Sequence, residues 1–125
     1  MATALNLAKK DLSHVNLAMA NLAGADLHEA NLREATLTET NFTGADLTDA
    51  NLTHANLAGA CLRQATAAHA NLGNADLRDA DLAGANLRGA RLVGAKLRDA
   101  DRVIAELAGA EFEERIAEGG TANDR

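Results

Sequence analysis

Apolar residues recur along this chain with a step of five. Leucine stands at 7, 12, 17, 22, 27, 32 and 37, then at 47, 52, 57 and 62, and again at 72, 77, 82, 87, 92, 97 and 107. Phe42 and Ala67 fill two of the gaps in phase, Arg102 fills the third, and Phe112 follows Leu107. Two residues before each centre stands alanine, from Ala20 to Ala110, with Thr40 the single departure. The residue just before the centre is mostly Asn or Asp, so the unit reads Ala–(Asn/Asp)–Leu–x–x. A step of five matches neither the 3.6 of a helix nor the 2.0 of a strand. It also excludes a heptad seam, whose period is 3.5. What remains is a solenoid of short extended segments joined by tight turns, each coil touching only its neighbours. Alternation within a segment puts Ala and Leu inward and Asn/Asp outward. Backbone N–H and C=O groups then pair with the coils above and below.

The pattern runs through 22 consecutive units from Leu5 to Glu114 and resembles the pentapeptide-repeat family. That resemblance implies an all-β solenoid, a right-handed quadrilateral β-helix with four pentapeptides per coil. It implies about 5.5 coils and a rod of roughly 26 Å at the usual rung spacing. Residues 20 apart should stack, so Leu27, Leu47, Ala67 and Leu87 share one inner column and Leu17, Leu37, Leu57, Leu77 and Leu97 another. Seven of the ten glycines lie two after a centre, where a positive φ would favour them. Other residues fill that position elsewhere, which suggests two alternating turn types. The outward Asn and Asp side chains are expected to bind backbone groups of neighbouring coils.

Both ends depart from the pattern. Lys10 replaces the small inward residue, which suggests an incomplete first coil. Arg102 replaces a central leucine, and a buried unpaired guanidinium is too costly for the coil to stay closed there. The expected division is a β-helix over 1–110 and a cap helix with a disordered tail over 111–125. In that reading the coil runs to about 110 and EFEERIAE lies as a short helix over the end. In the other, a helix starts near Asp101 and aligns Ile104, Ala108, Phe112 and Ile116 on one face. Val103, Ile104, Leu107, Phe112 and Ile116 are therefore the candidate end-cap or dimer interface. They would either close the rod or join two rods end to end as a C2 homodimer.

Composition adds limits. The chain has 125 residues, no Pro, Trp or Tyr, and one cysteine, Cys61, which precludes an internal disulfide. No 18-residue apolar run exists, so no membrane span is expected. The N-terminus has no apolar signal core, which makes the cytoplasm the expected location. The net charge of −6 is uneven along the chain. Residues 21–60 carry −5, residues 61–100 carry +2 and residues 101–125 carry −4. A solid rod offers no cleft for convergent catalytic groups, so no enzyme activity, cofactor or metal centre is expected. Two outward columns, His14–Glu34–His54 and Glu29–Asp49–His69, could hold a divalent ion adventitiously but read as solvated surface.

The first functional expectation is a non-catalytic, rod-shaped protein-binding module. A second comes from the resemblance. Family members tied to quinolone resistance are seen as DNA mimics that bind DNA gyrase and topoisomerase IV. Here Asp26, Glu29, Glu34, Glu39, Asp46 and Asp49 would form the partner-binding acidic surface. Direct nucleic-acid binding through the basic band at 78–98 is disfavoured by the absence of stacking aromatics. A structural repeat with no specific partner, even a designed one, is a third reading. The irregularities at Lys10, Cys61, Ala67 and Arg102 speak for natural drift.

Overall fold

The computed structural model of the chain describes residues 4–112, apart from the side chains of Ala100 and Leu107. Parallel bridges join residues 20 apart along its whole length, from Asn6 with Asp26 to Asp76 with Lys96. Each coil is therefore four pentapeptides, and the rod has four sides. They are named here for Leu27, Leu32, Leu37 and Phe42, the centres of the second coil.

Three backbone hydrogen bonds tie each unit to its neighbours. Leu52 N–H donates to the Asn71 carbonyl at 2.7 Å and His54 N–H to Gly73 at 2.9 Å, while Asn71 N–H donates back to Ala50 at 2.9 Å. Within the unit, Ala55 N–H closes a turn onto the Leu52 carbonyl at 3.1 Å. The residue two after the centre has positive φ at every corner from Lys9 to Gly94, whether or not it is glycine. The residue before it does not, which makes each corner a type II turn. One turn type thus serves the whole coil, and the expected alternation of two types does not occur. Twelve non-glycine residues accept the left-handed conformation. From Lys9 to Asn74 their N–H groups remain bonded across the rung, which offsets a local cost of about 1–2 kcal/mol each.

The inward set is the one the repeat marks. Leu27, Leu32, Leu37, Leu47 and Leu57 are fully buried, and the alanines two before each centre are at most 5% exposed from Ala25 to Ala80. Thr40 is also fully buried. Its hydroxyl donates to the Leu17 carbonyl at 2.8 Å, which explains how one polar residue enters the alanine column.

Both ends correct the sequence reading. The first coil forms its rungs, with Asn6, Asp11, Asn16 and Asn21 all bridged to the coil above. Lys10 is accommodated because its side chain is exposed at the open end. At the other end the coil does not run unbroken to 110. Helix α1, Asp99–Leu107, replaces two sides of the square. Arg102 consequently points away from the core, half-exposed, with its guanidinium 4.1 Å from the Phe112 ring centre and Nε 3.5 Å from Glu106. Asp99 and Asp101 occupy the first turn, where the helix dipole favours them. The fully buried Ala105 faces the core, whereas Ile104 is 45% exposed, so the proposed Ile104-centred stripe is not the inward face. After the helix the chain rejoins the coil in phase: Glu111 bridges Arg91, and Leu92 N–H donates to the Glu111 carbonyl at 2.6 Å. Most of the expected cap over 111–125 lies outside the described residues.

This packing makes two opposite errors costly. Leu57→Ala should lower unfolding free energy by about 2–5 kcal/mol through a cavity. Ala55→Leu should lower it by about 1–3 kcal/mol through overpacking. Urea melts of both variants check this; wild-type midpoints for both would mean that these side chains do not share a packed interior.

Candidate functional site

Every side chain outside the Ala and Leu columns projects from the rod, so any site must be built on its surface. The Asn/Asp position is held locally. Asn51 Oδ1 accepts the Thr53 N–H at 3.0 Å, Asn71 accepts from Gly73 at 3.0 Å, and Asp81 accepts from Ala83 at 3.0 Å. These are Asx turns within one unit, in which the short side chain orders the amide entering the corner. The expectation that these groups bind the neighbouring coils is corrected accordingly. The inter-coil side-chain contacts between such residues, Asn31 to Asp11 and Asn41 to Asn21, are long at 3.4 Å.

The six acidic candidates do not lie on one surface. Residues five apart occupy successive sides, so Glu29, Glu34 and Glu39 stand at three different corners of the second coil. Glu34 lies 3.3 Å from both His14 Nδ1 and Arg33 Nη2. Glu39 borders a shallow notch on another edge with Thr38, Ala58, Gly59 and Asp79. The structure does gather Asp26, Glu29, Asp46 and Asp49 on the Leu27 side and its corner. No Lys or Arg enters that side in the same two coils; His28 and Thr48 take the intervening positions.

His28 is the residue the sequence reading passed over. Its Nδ1 lies 2.7 Å from Asp26 Oδ1 and its Nε2 lies 3.9 Å from Glu29 Oε2. The hydrogen bond to Asp26 holds the imidazole above its ordinary pKa, aided by the charges of Asp26, Glu29 and Asp46. The same ring, with the His28 amide, holds Asp26 below the usual carboxylate range. Asp26, His28 and Asp46 each offer a ligand atom, all within 4.8 Å of one another. Among the described residues no other group of three does so, and the two outward columns that read as solvated surface, His14–Glu34–His54 and Glu29–Asp49–His69, are not such groups. The signal was available: an Asp-x-His within one unit and an Asp 20 residues after the first.

The basic band is likewise divided among the sides, and two of its members, with Arg63 just before it, are paired. Arg63 pairs with Asp81 at 3.1 Å, Arg78 with Asp76 at 2.7 Å, and Arg98 with Asp79. Of the candidate interface residues, Val103 and Ile104 are exposed, at 56% and 45%, and Phe112 is half-buried under Arg102. The Leu107 side chain and Ile116 lie outside what is described. Cys61 is half-buried, with Sγ 3.2 Å from the Thr43 hydroxyl. No buried side-chain nitrogen or oxygen lacks a partner among the described residues. None of the helices there is long and apolar enough to cross a membrane.

The repeat of bridged rungs, uniform corners and paired inner columns matches the family model for pentapeptide repeats over residues 6–44, 30–66 and 60–99. The chain belongs to the pentapeptide-repeat family. Its members are right-handed quadrilateral β-helices and are generally non-catalytic structural modules. A pentapeptide-repeat protein, Rfr23, from the cyanobacterium Cyanothece 51142 is 39% identical, with a TM-score of 0.70 over 82% of this chain. The chain spans only 64% of that protein's length. A pentapeptide-repeat protein of the Arabidopsis thaliana thylakoid lumen is 30% identical, with a TM-score of 0.64, covering 98% of this chain and 87% of its own. The plasmid-mediated fluoroquinolone resistance protein QnrB1 is more distant, at 19% identity and a TM-score of 0.33 over 86% of this chain and 73% of its own. No curated protein matches the chain.

One pH effect isolates charge from turn geometry in this pentapeptide-repeat rod. The Arg78 guanidinium beside Asp76 holds that carboxyl below its usual range. A depressed folded pKa adds stability above the unfolded value near about 3.9, lost as pH falls through the folded one. Asp76→Asn keeps an Asx acceptor but removes the charge. It should destabilise by less than about 1 kcal/mol at pH 7, and the difference should shrink in thermal melts at a pH below the unfolded value of about 3.9. A constant difference at both pH values would assign the effect to the turn instead.

Proposed function

We propose that this protein is a non-catalytic binding rod whose Leu27 side engages a basic surface on a partner protein. The observation that carries this reading is the concentration of Asp26, Glu29, Asp46 and Asp49 there, with no Lys or Arg between them. A backbone bonded on every rung holds these carboxylates at a spacing of about 4.8 Å. Such a preorganised charge array attracts a complementary surface without ordering cost in the rod.

The DNA-mimic alternative uses the same groups as phosphate substitutes for DNA gyrase or topoisomerase IV. It has less support than the linear sequence gave it, because Glu34 and Glu39 face other directions. A longer acidic profile would need two rods joined end to end, for which the exposed Val103 and Ile104 are the contact we propose. Val103→Glu with Ile104→Glu would leave such a dimer monomeric in light scattering.

Charge reversal by side tests the binding reading. Glu29→Lys with Asp49→Lys should abolish retention of a partner captured by the wild-type rod, and Glu34→Lys with Glu39→Lys should not. Binding should also weaken steeply with salt, since the Debye length is about 8 Å at physiological ionic strength. Equal losses from both double variants would refute a one-sided interface. With purified gyrase, supercoiling that stays unchanged at tens of micromolar rod would remove the mimic alternative.

A further inference from the structure

The rungs of this coil form an internal comparison set. Sixteen bridges each place the residue before one centre over its equivalent in the next coil. Acidic residues in these positions face an amide, a hydroxyl, a thiol or a cation: Asp11 faces Asn31, Asp46 faces Thr66 above, Asp81 faces Cys61, and Asp76 faces Lys96. Among the described bridges, Asp26 over Asp46 is the one exception, with a carboxylate stacked directly on a carboxylate. Like charges directly opposite one another across a pair of strands repel.

The groups around that pair are arranged to receive positive charge. Each aspartate spends one oxygen on its own turn, Asp26 Oδ1 on the His28 N–H at 3.1 Å and Asp46 Oδ1 on the Thr48 N–H at 2.9 Å. The second oxygen of each accepts no hydrogen bond from the described residues. His28 supplies an imidazole nitrogen from the next outward position, and Glu29 adds a further carboxylate 3.9 Å from the ring. All three principal side chains are half-buried, so part of their hydration is already displaced. One imidazole and two carboxylates make a mixed N,O donor set, suited to first-row transition ions more than to Mg²⁺ or Ca²⁺. Ligand atoms within 4.8 Å of one another can meet a shared ion at about 2.0–2.2 Å once the His28–Asp26 hydrogen bond is exchanged for ligation.

We propose that Asp26, His28 and Asp46 form a divalent transition-metal site on the Leu27 side, bridging the second and third coils. Waters would complete the coordination of an ion such as Zn²⁺. The ion replaces the repulsion of the stacked carboxylates with a cross-coil link. This inference does not depend on the partner-binding reading, because it is read with the metal alone.

Titrating the full chain with Zn²⁺ by calorimetry should give one saturable site, with Mg²⁺ binding far more weakly. His28→Ala and Asp46→Asn should each weaken Zn²⁺ by about tenfold or more, since even loss of a supporting residue around a metal costs about 10–100-fold. Both changes are on the surface, and Asn keeps the Asx turn, so unchanged circular dichroism should accompany the loss. Glu34→Gln and Cys61→Ser, which remove other potential ligands, should leave the affinity as it was. The absence of saturable Zn²⁺ binding would overturn the proposal. So would binding that survives both His28→Ala and Asp46→Asn, or that disappears with Cys61→Ser.

Discussion

The structure depends on one recurring constraint: from Leu7 to Leu92, each centre is followed by a type II corner whose second central residue is left-handed. That corner turns the chain onto the next side after five residues. Four of them bring residue i+20 over residue i, so that Leu52 N–H meets the Asn71 carbonyl. Burial of Ala and Leu, the rung bonds and the outward display all require that closure. A different corner angle would misalign the rungs and leave backbone groups unpaired in a core that holds no water-binding side chain but Thr40. The square is narrow for the same reason. Alanine fits near a corner, leucine reaches the centre, and Thr40 enters only because its hydroxyl finds the Leu17 carbonyl.

Much of this was legible because a five-residue period has few physical solutions. The Ala and Leu positions read from the sequence are the buried ones. Four sides were not derivable from that period and came from family resemblance. The Asn/Asp contacts were misread because their role lies in their own turn, not in the stack. The turn itself was read through glycine, which hid that Glu34, His54 and Gln64 adopt the same left-handed conformation. Arg102 correctly signalled a break, yet the helix begins three residues earlier, at Asp99. The break is not the end of the coil, since Glu111 returns to its rung.

The surface was harder to read because neighbours in sequence are not neighbours in space. Glu29, Glu34 and Glu39 look like one acidic run and stand on three edges. Asp26 and Asp46 look separate and touch through the rung. Functional meaning in such a rod belongs to columns 20 residues apart and to the three outward positions of each unit. His28 was missed because it sits one after a centre, a position that carried no expectation. Like Thr43 and Thr53, which bond their own Asn side chains at 2.6 and 2.7 Å, it bonds the acceptor of its own unit, but here that acceptor is an Asp stacked on a second Asp. A solid, fully bonded interior leaves recognition to such local departures from the repeat.

The 20-residue register is the claim on which the rest stands, and scalar couplings across hydrogen bonds measure it directly. In a labelled sample, nitrogen–carbonyl couplings should connect Leu52 to Asn71, His54 to Gly73, and Asn71 back to Ala50. Couplings from these amides to carbonyls at any other separation would contradict the four-sided coil.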